Sequence, residues 1–324
     1  MALDPVSEMQ KAIIRKGEMV VADLAPNGVL PVQQFREFVV ISILKGGVMM
    51  KRIRVVEMTN PTYEVPKIRA QDQVLHGGTS GVALTEDQRS KPSILPKTTL
   101  TSKLLRGAVP IPDEVFEDNV EREALNAKVR DMTAEAVARD LENLLINGDT
   151  TSSNTLLNQT DGVLKLTTTN VVPAGGTYLN KSILRDTCLV LPDEFREEES
   201  AMVFFTSHRA GIWYRDSISN RTGDLGDTTL TNGDRDAQPR YAFYNGSPII
   251  PVPLIRNNHG SSQNETNILY CNPKNILFGI QRDVRMEYQR DQASSTNIIH
   301  VTCRVDVGTE YEGRNVKTTG VKAA

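Results

Sequence analysis

A single helical pattern from Asp113 to Asn147 constrains this chain more than any other feature of its sequence. Pro110 and Pro112 precede the pattern, and Asp113 is a suitable N-cap residue. Asn147-Gly148 supplies a stop signal. An uninterrupted helix of this length would extend roughly 50 Å, which is longer than most helices of globular proteins. The pattern therefore predicts a spine that crosses an extended molecule.

One narrow apolar stripe follows the predicted helix, and charged residues cover the remaining faces. The stripe consists of Leu125, Val129, Met132, Ala136, Val137, Leu141 and Leu144. Such a stripe packs against one neighbouring surface. We therefore expect Met132 to be buried and Arg130 to lie on the charged side. A coiled coil, or a long helix in an ordinary α+β enzyme, is the alternative interpretation.

Two segments with strand chemistry, 48–69 and 94–111, flank a polar stretch at 71–93. β-Branched and aromatic residues recur in the first segment among Arg and Lys, and the second is rich in Thr. The polar stretch has too few apolar residues to form a core. The sequence predicts a long two-stranded hairpin, which is marginally stable in water unless a neighbouring subunit covers it.

The region between about 150 and 265 mixes helix and strand patterns in short elements. The predicted elements are a helix at 179–191, a strand at 201–206, a short helix capped by Ser207 and reaching Tyr214, a polar loop at 216–240 and a strand-turn-strand unit at 241–255. The polar loop has almost no apolar residues, so it cannot contribute to a core.

The C-terminal block carries the clearest β pattern. Segments 267–271, 275–280 and 284–288 are predicted strands, and apolar residues alternate strictly with polar ones from Ile299 to Val307. This pattern is typical of a sheet with one apolar face. Because the spine needs a surface and the sheet needs a cover, we expect 113–147 to pack on 267–310.

Composition narrows the classes of function. The 324 residues include 37 basic and 40 acidic side chains, for a net charge of −3, and only 39% are hydrophobic. Both signs are scattered along the chain, so no basic patch indicates sequence-specific DNA readout. The start, MALDPVSEMQ, lacks the features of a secretory signal, and no long apolar run predicts a membrane span. We expect a soluble cytoplasmic chain whose three cysteines are reduced.

No pattern of catalytic or metal-binding residues stands out. The four histidines are His76, His208, His259 and His300, and none has zinc-ligand spacing. Ser207-His208 lacks a nucleophile-elbow motif, and the acidic stretch 224–234 breaks the order of a calcium loop. The glycine-rich stretch 76–81 lacks a phosphate-loop signature. We therefore predict no catalytic, cofactor-binding or metal-binding residues, no cofactor and no enzymatic activity.

Several passages, taken in order, resemble the HK97-fold major capsid proteins of tailed bacteriophages. The resemblance lies in Val109-Pro110-Ile111-Pro112-Asp113-Glu114-Val115-Phe116-Glu117-Asp118, Leu144-Leu145-Ile146-Asn147-Gly148-Asp149, Val203-Phe204-Phe205-Thr206-Ser207-His208, Tyr244-Asn245-Gly246-Ser247-Pro248-Ile249-Ile250 and Asn275-Ile276-Leu277-Phe278-Gly279. Each passage is an apolar pattern or a turn, so the order of elements carries the resemblance, which covers nearly the whole chain.

The resemblance implies an α+β, HK97-like fold in which an α/β axial domain is inserted into a peripheral domain built from the spine helix and an antiparallel sheet. The implied divisions are an N-terminal arm at 1–47, an extended β-hairpin (E-loop) with its base at 48–111, the spine helix at 112–150, the axial domain at 151–265 and a C-terminal sheet and tail at 266–324. The polar loop would then lie at the centre of each capsomer.

The implied function is self-assembly, as homo-hexamers and pentamers, into an icosahedral head that encloses packaged phage dsDNA. Implied partners are copies of the chain, a separate scaffolding protein, a portal and a decoration protein, without a membrane. The implied locations are the virion and, during assembly, the host cytoplasm. Some relatives form Lys–Asn crosslinks, for which Lys67, Lys91 and Lys97 are candidate donors without an identifiable partner. An encapsulin-like nanocompartment shell and a soluble α+β enzyme remain alternatives.

Overall fold

The computed structural model describes residues 47–69, 75, 77, 80, 81, 83, 93–118, 123–219, 241–260 and 263–323. The predicted arm at 1–46, the acidic stretch 224–234 and most of the hairpin tip lie outside these residues. Twelve strands run through the described part: β1 Arg54–Glu57, β2 Thr62–Arg69, β3 Ser93–Thr101, β4 Lys103–Pro112, β5 Val171–Pro173, β6 Val203–Thr206, β7 Ala242–Tyr244, β8 Ser247–Pro251, β9 Glu265–Cys271, β10 Ile276–Asp291, β11 Thr296–Thr309 and β12 Val316–Lys322.

The helices are short apart from one. They are α1 Asp113–Asp118, α2 Glu123–Asn147, α3 Val163–Leu166, α4 Lys181–Val190 and α5 His208–Ser219, with 3-10 turns at Leu157–Gln159, Asp193–Ala201, Pro273–Asn275 and Glu312–Arg314. The 25 residues of α2 form the main length of the predicted spine. Four residues between α1 and α2 lie outside the described part of the chain.

A four-stranded sheet, ordered β1-β10-β11-β4, carries the spine. Strands β10 and β11 form a long antiparallel hairpin, and β4 extends it along β11. Val129 and Val137 of α2 pack with Ile299 and Val301 of β11. The predicted packing of the spine on this sheet is confirmed, as is the apolar face of the alternating C-terminal strand.

The burial of Met132 was predicted wrongly. Its side chain is 42% exposed, whereas Thr133 is 8% exposed. The stripe that faces the core runs through Val129, Thr133, Val137 and Leu141, at spacings of four residues, and Thr133 and Leu141 are its buried members. Thr133 satisfies its hydroxyl by donating to the carbonyl of Val129 at 2.8 Å, so a polar residue occupies the position that the sequence pattern assigned to an apolar one.

A six-stranded sheet, ordered β5-β12-β9-β6-β8-β7, forms the second layer of strands. The prediction of a single C-terminal sheet was therefore wrong in part, because β9 and β12 pair with strands of the inserted region. The chain leaves this sheet after β9 for β10 and β11 and returns to it with β12, so the sheet is built from residues far apart in sequence. The tight turn at Asn245-Gly246, where both residues have positive φ, joins β7 to β8 as predicted.

Helices α4 and α5 cover one face of the six-stranded sheet. Asn180 caps α4 by accepting a hydrogen bond from the Ile183 amide at 3.0 Å. Ser207 caps α5 by accepting one from the Ala210 amide at 3.3 Å, as predicted. The predicted polar loop begins later than expected, because residues 216–219 still belong to α5, and 220–240 lie outside the described residues.

The base of the predicted hairpin differs from the expectation. In the described part of the chain β2 pairs with β3, whereas β1 and β4 join opposite edges of the four-stranded sheet. The flanking segments therefore belong to the body of the subunit. Their apolar residues, such as Ile53 and Ile111, are buried there, which gives these strands more burial than a projecting hairpin could provide.

Candidate assembly surfaces

The root of the hairpin is fixed on the body by one buried leucine. Leu100 of β3 is fully buried against Met58 and Leu277. A Cβ atom at Gly308 would lie 2.5 Å from Leu100 Cδ2, and one at Gly279 would lie 2.6 Å from Met58 Sδ. A side chain at either position would force Leu100 or Met58 to shift, so the two glycines let both side chains pack closely on the sheet.

Hydrogen bonds reinforce this root. Thr98 Oγ1 donates to the carbonyl of Thr309 at 3.1 Å. The carboxylate of Asp306, which is 8% exposed, accepts from the Thr101 amide at 2.5 Å and from Thr160 Oγ1 at 2.6 Å. Asp306 thus connects the hairpin, the sheet and the loop that follows the spine.

Beyond the root, the hairpin makes looser contacts. The Lys67 ammonium lies 5.1 Å from the centre of the Tyr311 ring. Burial lowers the pKa of Lys67, although the nearby carboxylates of Glu310 and Glu312 act in the opposite direction. Within the hairpin, Lys97 pairs with Glu64 at 2.6 Å, and both side chains are more than half exposed, so this pair adds little stability.

The segment that leads out of the N-terminal arm is attached to the spine by a buried carboxylate. Glu142 of α2 is fully buried, and its two oxygens accept from the amides of Gly47 and Met49 at 2.5 and 2.6 Å. Met49 is itself buried in the main core. This contact fixes the chain at Gly47 and Met49 to the spine. The sequence pattern did not predict it, since a glutamate beside Leu141 was interpreted as part of the charged face.

The spine ends at a close approach of two glycines. Gly148 donates its amide to the Leu144 carbonyl, and the Gly162 amide donates to the Gly148 carbonyl, both at 2.9 Å. A Cβ atom on Gly148 would lie 2.7 Å from the Gly162 nitrogen, so the chain crosses here only because both residues lack side chains. Just beyond, Lys165 pairs with Asp149 at 2.6 Å and Asp161 at 2.9 Å.

Large apolar side chains are exposed on several parts of the subunit. They are Val55, Tyr63, Leu75, Leu104, Met132, Val171, Leu189, Val190, Ile212, Phe243 and Tyr288. Five of them, Val171, Leu189, Val190, Ile212 and Phe243, belong to the helices and edge strands of the inserted region, with Val171 on β5 and Phe243 on β7 at the two edges of the six-stranded sheet. Single exposed apolar side chains are common on protein surfaces, so these residues do not by themselves define a contact surface.

The residues considered for chemistry lie apart from one another. Ser207 is buried as a helix cap, and the adjacent His208 is exposed. Cys271 and Cys303 are buried free thiols whose pKa values are raised by burial, and Cys188 is partly exposed on α4. In the described part of the chain, no group of three or more His, Cys, Asp or Glu side chains is placed to hold a metal ion.

The remaining candidates are placed as follows. Burial lowers the pKa of His259, and His300 lies on β11 opposite Glu287. His76 and Lys91 lie outside the described residues. Among the helices that the structure describes, none is both long enough and apolar enough to span a membrane.

Comparison with known proteins agrees with this arrangement. The model of the Phage capsid family matches residues 27–311, which is most of the chain. The chain belongs to the phage capsid family. The capsid protein is also 29% identical over 314 residues to the putative prophage capsid protein YqbE of Bacillus subtilis (strain 168), covering 96% of this chain and 98% of that relative.

Solved structures show that the fold is HK97-like. A capsid of a native GTA particle matches with a TM-score of 0.64 at 14% identity, over 92% of this chain and 98% of the other. A Microbacterium phage Oxtober96 chain matches with a TM-score of 0.60 at 15% identity, over 94% and 99%. The SrpI encapsulin of Synechococcus elongatus PCC 7942 matches with a TM-score of 0.58 at 11% identity, over 100% and 98%. These structures show the fold, and the family match makes the protein a capsid protein of the virion shell.

Proposed function

We propose that this capsid protein assembles as homo-hexamers and pentamers into an icosahedral head that encloses packaged phage dsDNA. The observation that carries the proposal is the hairpin: its root is fixed to the body by Leu100, and its polar distal residues have too little apolar surface to fold on their own. Such an element gains stability when a neighbouring subunit covers it.

The remaining surfaces have distinct roles in this proposal. The arm at 1–47 reaches neighbouring subunits from its fixed exit at Glu142. The segments 48–111 and 112–150 supply the hairpin with its base and the spine, and the region 151–265 forms the axial domain, whose polar loop meets its symmetry copies at the capsomer centre. The segment 266–324 completes the peripheral sheet, but it also lends β9 and β12 to the inserted sheet.

We assign no catalytic role to the chain. Its near-neutral net charge suits a container into which DNA must move, because a strongly basic wall would bind the phosphate backbone and oppose that movement. Assembly takes place in the host cytoplasm, with a separate scaffolding protein, a portal and a decoration protein as further partners.

Deleting 71–93 tests the proposal. The deletion removes polar residues that form no core, so the purified subunit should keep its circular dichroism spectrum and its melting temperature within a few degrees. Electron microscopy should then show no closed shells. Lys97→Ala, which removes an exposed pair within the hairpin, is the control and should assemble normally. Closed shells from the deletion variant would contradict the proposed role.

An encapsulin-like nanocompartment is the second candidate, because the structural likeness to the SrpI encapsulin extends over the whole chain. The two candidates differ in contents. Particles purified from cells that produce the complete phage should hold nuclease-protected DNA under the first proposal. Particles that hold protein cargo and no protected DNA would favour the second.

A further inference from the structure

The hairpin changes character at one point along its length. Val65 pairs with Thr98, but Lys67 pairs with Leu95, so β3 contains one extra residue between these pairs. The extra residue is a β-bulge. Both strands place a proline within it, Pro66 in β2 and Pro96 in β3. Because proline has no amide hydrogen, neither strand can donate a ladder hydrogen bond from these positions.

The two sides of the bulge are held differently. On the root side, Leu100 is fully buried, and Thr98 and Thr101 form hydrogen bonds to β11 and its end. On the distal side, Lys67 contacts the body through the face of the Tyr311 ring at 5.1 Å. A cation over an aromatic face is a much weaker attachment than a buried leucine with two hydrogen bonds.

The Tyr311 ring is held in place by the body of the subunit, and Lys67 of the hairpin contacts it. The amide of Tyr311 donates to Asn275 Oδ1 at 2.9 Å, and its carbonyl accepts from Asn275 Nδ2 at 2.8 Å. Arg314 lies 4.8 Å from the same ring. For Lys67, by contrast, the cost of burial outweighs the attraction of Glu310 and Glu312, since its pKa is lowered. The ring is therefore held on the body, and burial makes the contact less favourable for the charged lysine.

We propose that the bulge at Pro66 and Pro96 is a hinge, and that the contact of Lys67 with Tyr311 is a latch that holds the described distal part of the hairpin, 67–69 and 93–95, against its own subunit before assembly. When a neighbouring copy takes up the distal hairpin, the latch opens and the hairpin bends at the bulge, while the root keeps its position. The neighbouring copy in this scheme rests on the proposed function, but the hinge and the latch are properties of a single chain.

Amide hydrogen exchange on full-length, unassembled subunits tests the latch. Lys67→Ala should raise the exchange rates at 67–69 and 93–95 by roughly two- to fivefold, the factor that corresponds to a surface cation–π contact. Rates at 62–65 and 98–101 should stay unchanged. Lys97→Ala is the matched control, because its partner Glu64 lies within the hairpin, and it should not produce this pattern. Equal increases on both sides of the bulge, or no increase, would overturn the latch.

Pro96→Val tests the hinge separately by returning an amide hydrogen to β3. Exchange at 67–69 and 93–95 should become slower than in the wild type, and Pro66→Val should act in the same direction if the first variant fails to fold. Unchanged or faster distal exchange in a folded variant would overturn the hinge.

Both exchange measurements are made on unassembled subunits. If the exchange rates change as expected but wild-type subunits never form shells, only the proposed function is refuted. If the subunits form shells but the exchange rates do not change as expected, only the hinge and the latch are refuted.

Discussion

The two halves of the spine helix α2 are built from similar residue types, yet they have different environments. In the C-terminal half, Leu141, Glu142, Leu144, Leu145 and Ile146 are all buried, with exposed fractions of 8% or less. In the N-terminal half, Thr133 is the buried residue among those whose side chains are described, and Val129 is half-buried. One helix is thus a core element at one end and a surface element at the other.

The difference follows from what each half contacts. The C-terminal half lies in the main core with strands of both sheets, including Phe205, Leu269 and Phe278. The N-terminal half lies over the distal part of the β10-β11 hairpin, where Val284 and Met286 form a thin apolar layer. Subunit stability should therefore depend on the C-terminal half, and the N-terminal half should tolerate substitution.

The largest effect is expected for Leu144→Ala. Its side chain is fully buried, so the change leaves a cavity and should cost about 2–5 kcal/mol in the free energy of unfolding. Val129→Ala, at a half-buried position of the N-terminal half, should cost about 1 kcal/mol. Denaturant unfolding of the two variants measures the contrast, and equal losses would show that the halves are equally packed.

Glu142→Ala should have the next largest effect. The change leaves the amides of Gly47 and Met49 without their buried hydrogen-bond acceptor. Such a loss should lower the free energy of unfolding by about 1–3 kcal/mol. Glu135→Ala, on the exposed face of the same helix, is the matched control and should change stability by less than about 0.5 kcal/mol. The melting temperatures of the two variants are compared. If Glu142→Ala melts at the same temperature as Glu135→Ala, Glu142 does not hold the chain at Gly47 and Met49.

A smaller, pH-dependent effect is expected just beyond the C-terminal half. Hydrogen bonds from Lys165 and Thr151 lower the pKa of Asp149. Burial acts to raise the pKa of Asp161, but hydrogen bonds from Thr150 and Lys165 outweigh it, so the pKa of Asp161 is also lowered. Carboxylates with lowered pKa values stabilise the fold at neutral pH and lose this contribution as the pH falls through about 4 and below.

Lys165→Met should therefore destabilise the protein at pH 7 and converge with the wild type as the solution is acidified. Thermal melts between about pH 7 and pH 3 give the comparison. Lys103→Met, which replaces an exposed lysine of β4, should run parallel to the wild type throughout. If the melting temperature of Lys165→Met stays below that of the wild type at about pH 3, the cause is lost packing and not lost charge pairing.

The smallest effect on the subunit is expected for Met132→Asp. Met132 is 42% exposed in the single chain, so a carboxylate there stays in water and should cost less than about 0.5 kcal/mol. Thr133→Asp, one residue on, would bury a charge and should cost several-fold more. If Met132→Asp is the more damaging of the two in unassembled subunits, the face of the helix has been assigned wrongly.

The sequence alone determined the elements whose signals are local. Pro112 and Asp113 mark the start of the helical pattern, Asn147-Gly148 marks its end, Ser207 caps α5, and strict alternation defines β11. These signals depend on backbone chemistry and on side-chain period, which act over a few residues and need no distant partner. Their order along the chain was enough to indicate the HK97-like fold.

Only the tertiary structure decided which surfaces these elements share. Met132 and Thr133 are adjacent, and the apolar pattern favoured the wrong one because a threonine can satisfy its hydroxyl on the preceding helical turn. Glu142 and Asp306 are acidic residues that are buried because distant amides donate to them. The amide that donates to Glu142 lies more than 90 residues away in sequence, and the one that donates to Asp306 lies more than 200 away. Strands β9 and β12 joined the inserted sheet because pairing partners are set by the packing of the whole chain, which no local pattern contains.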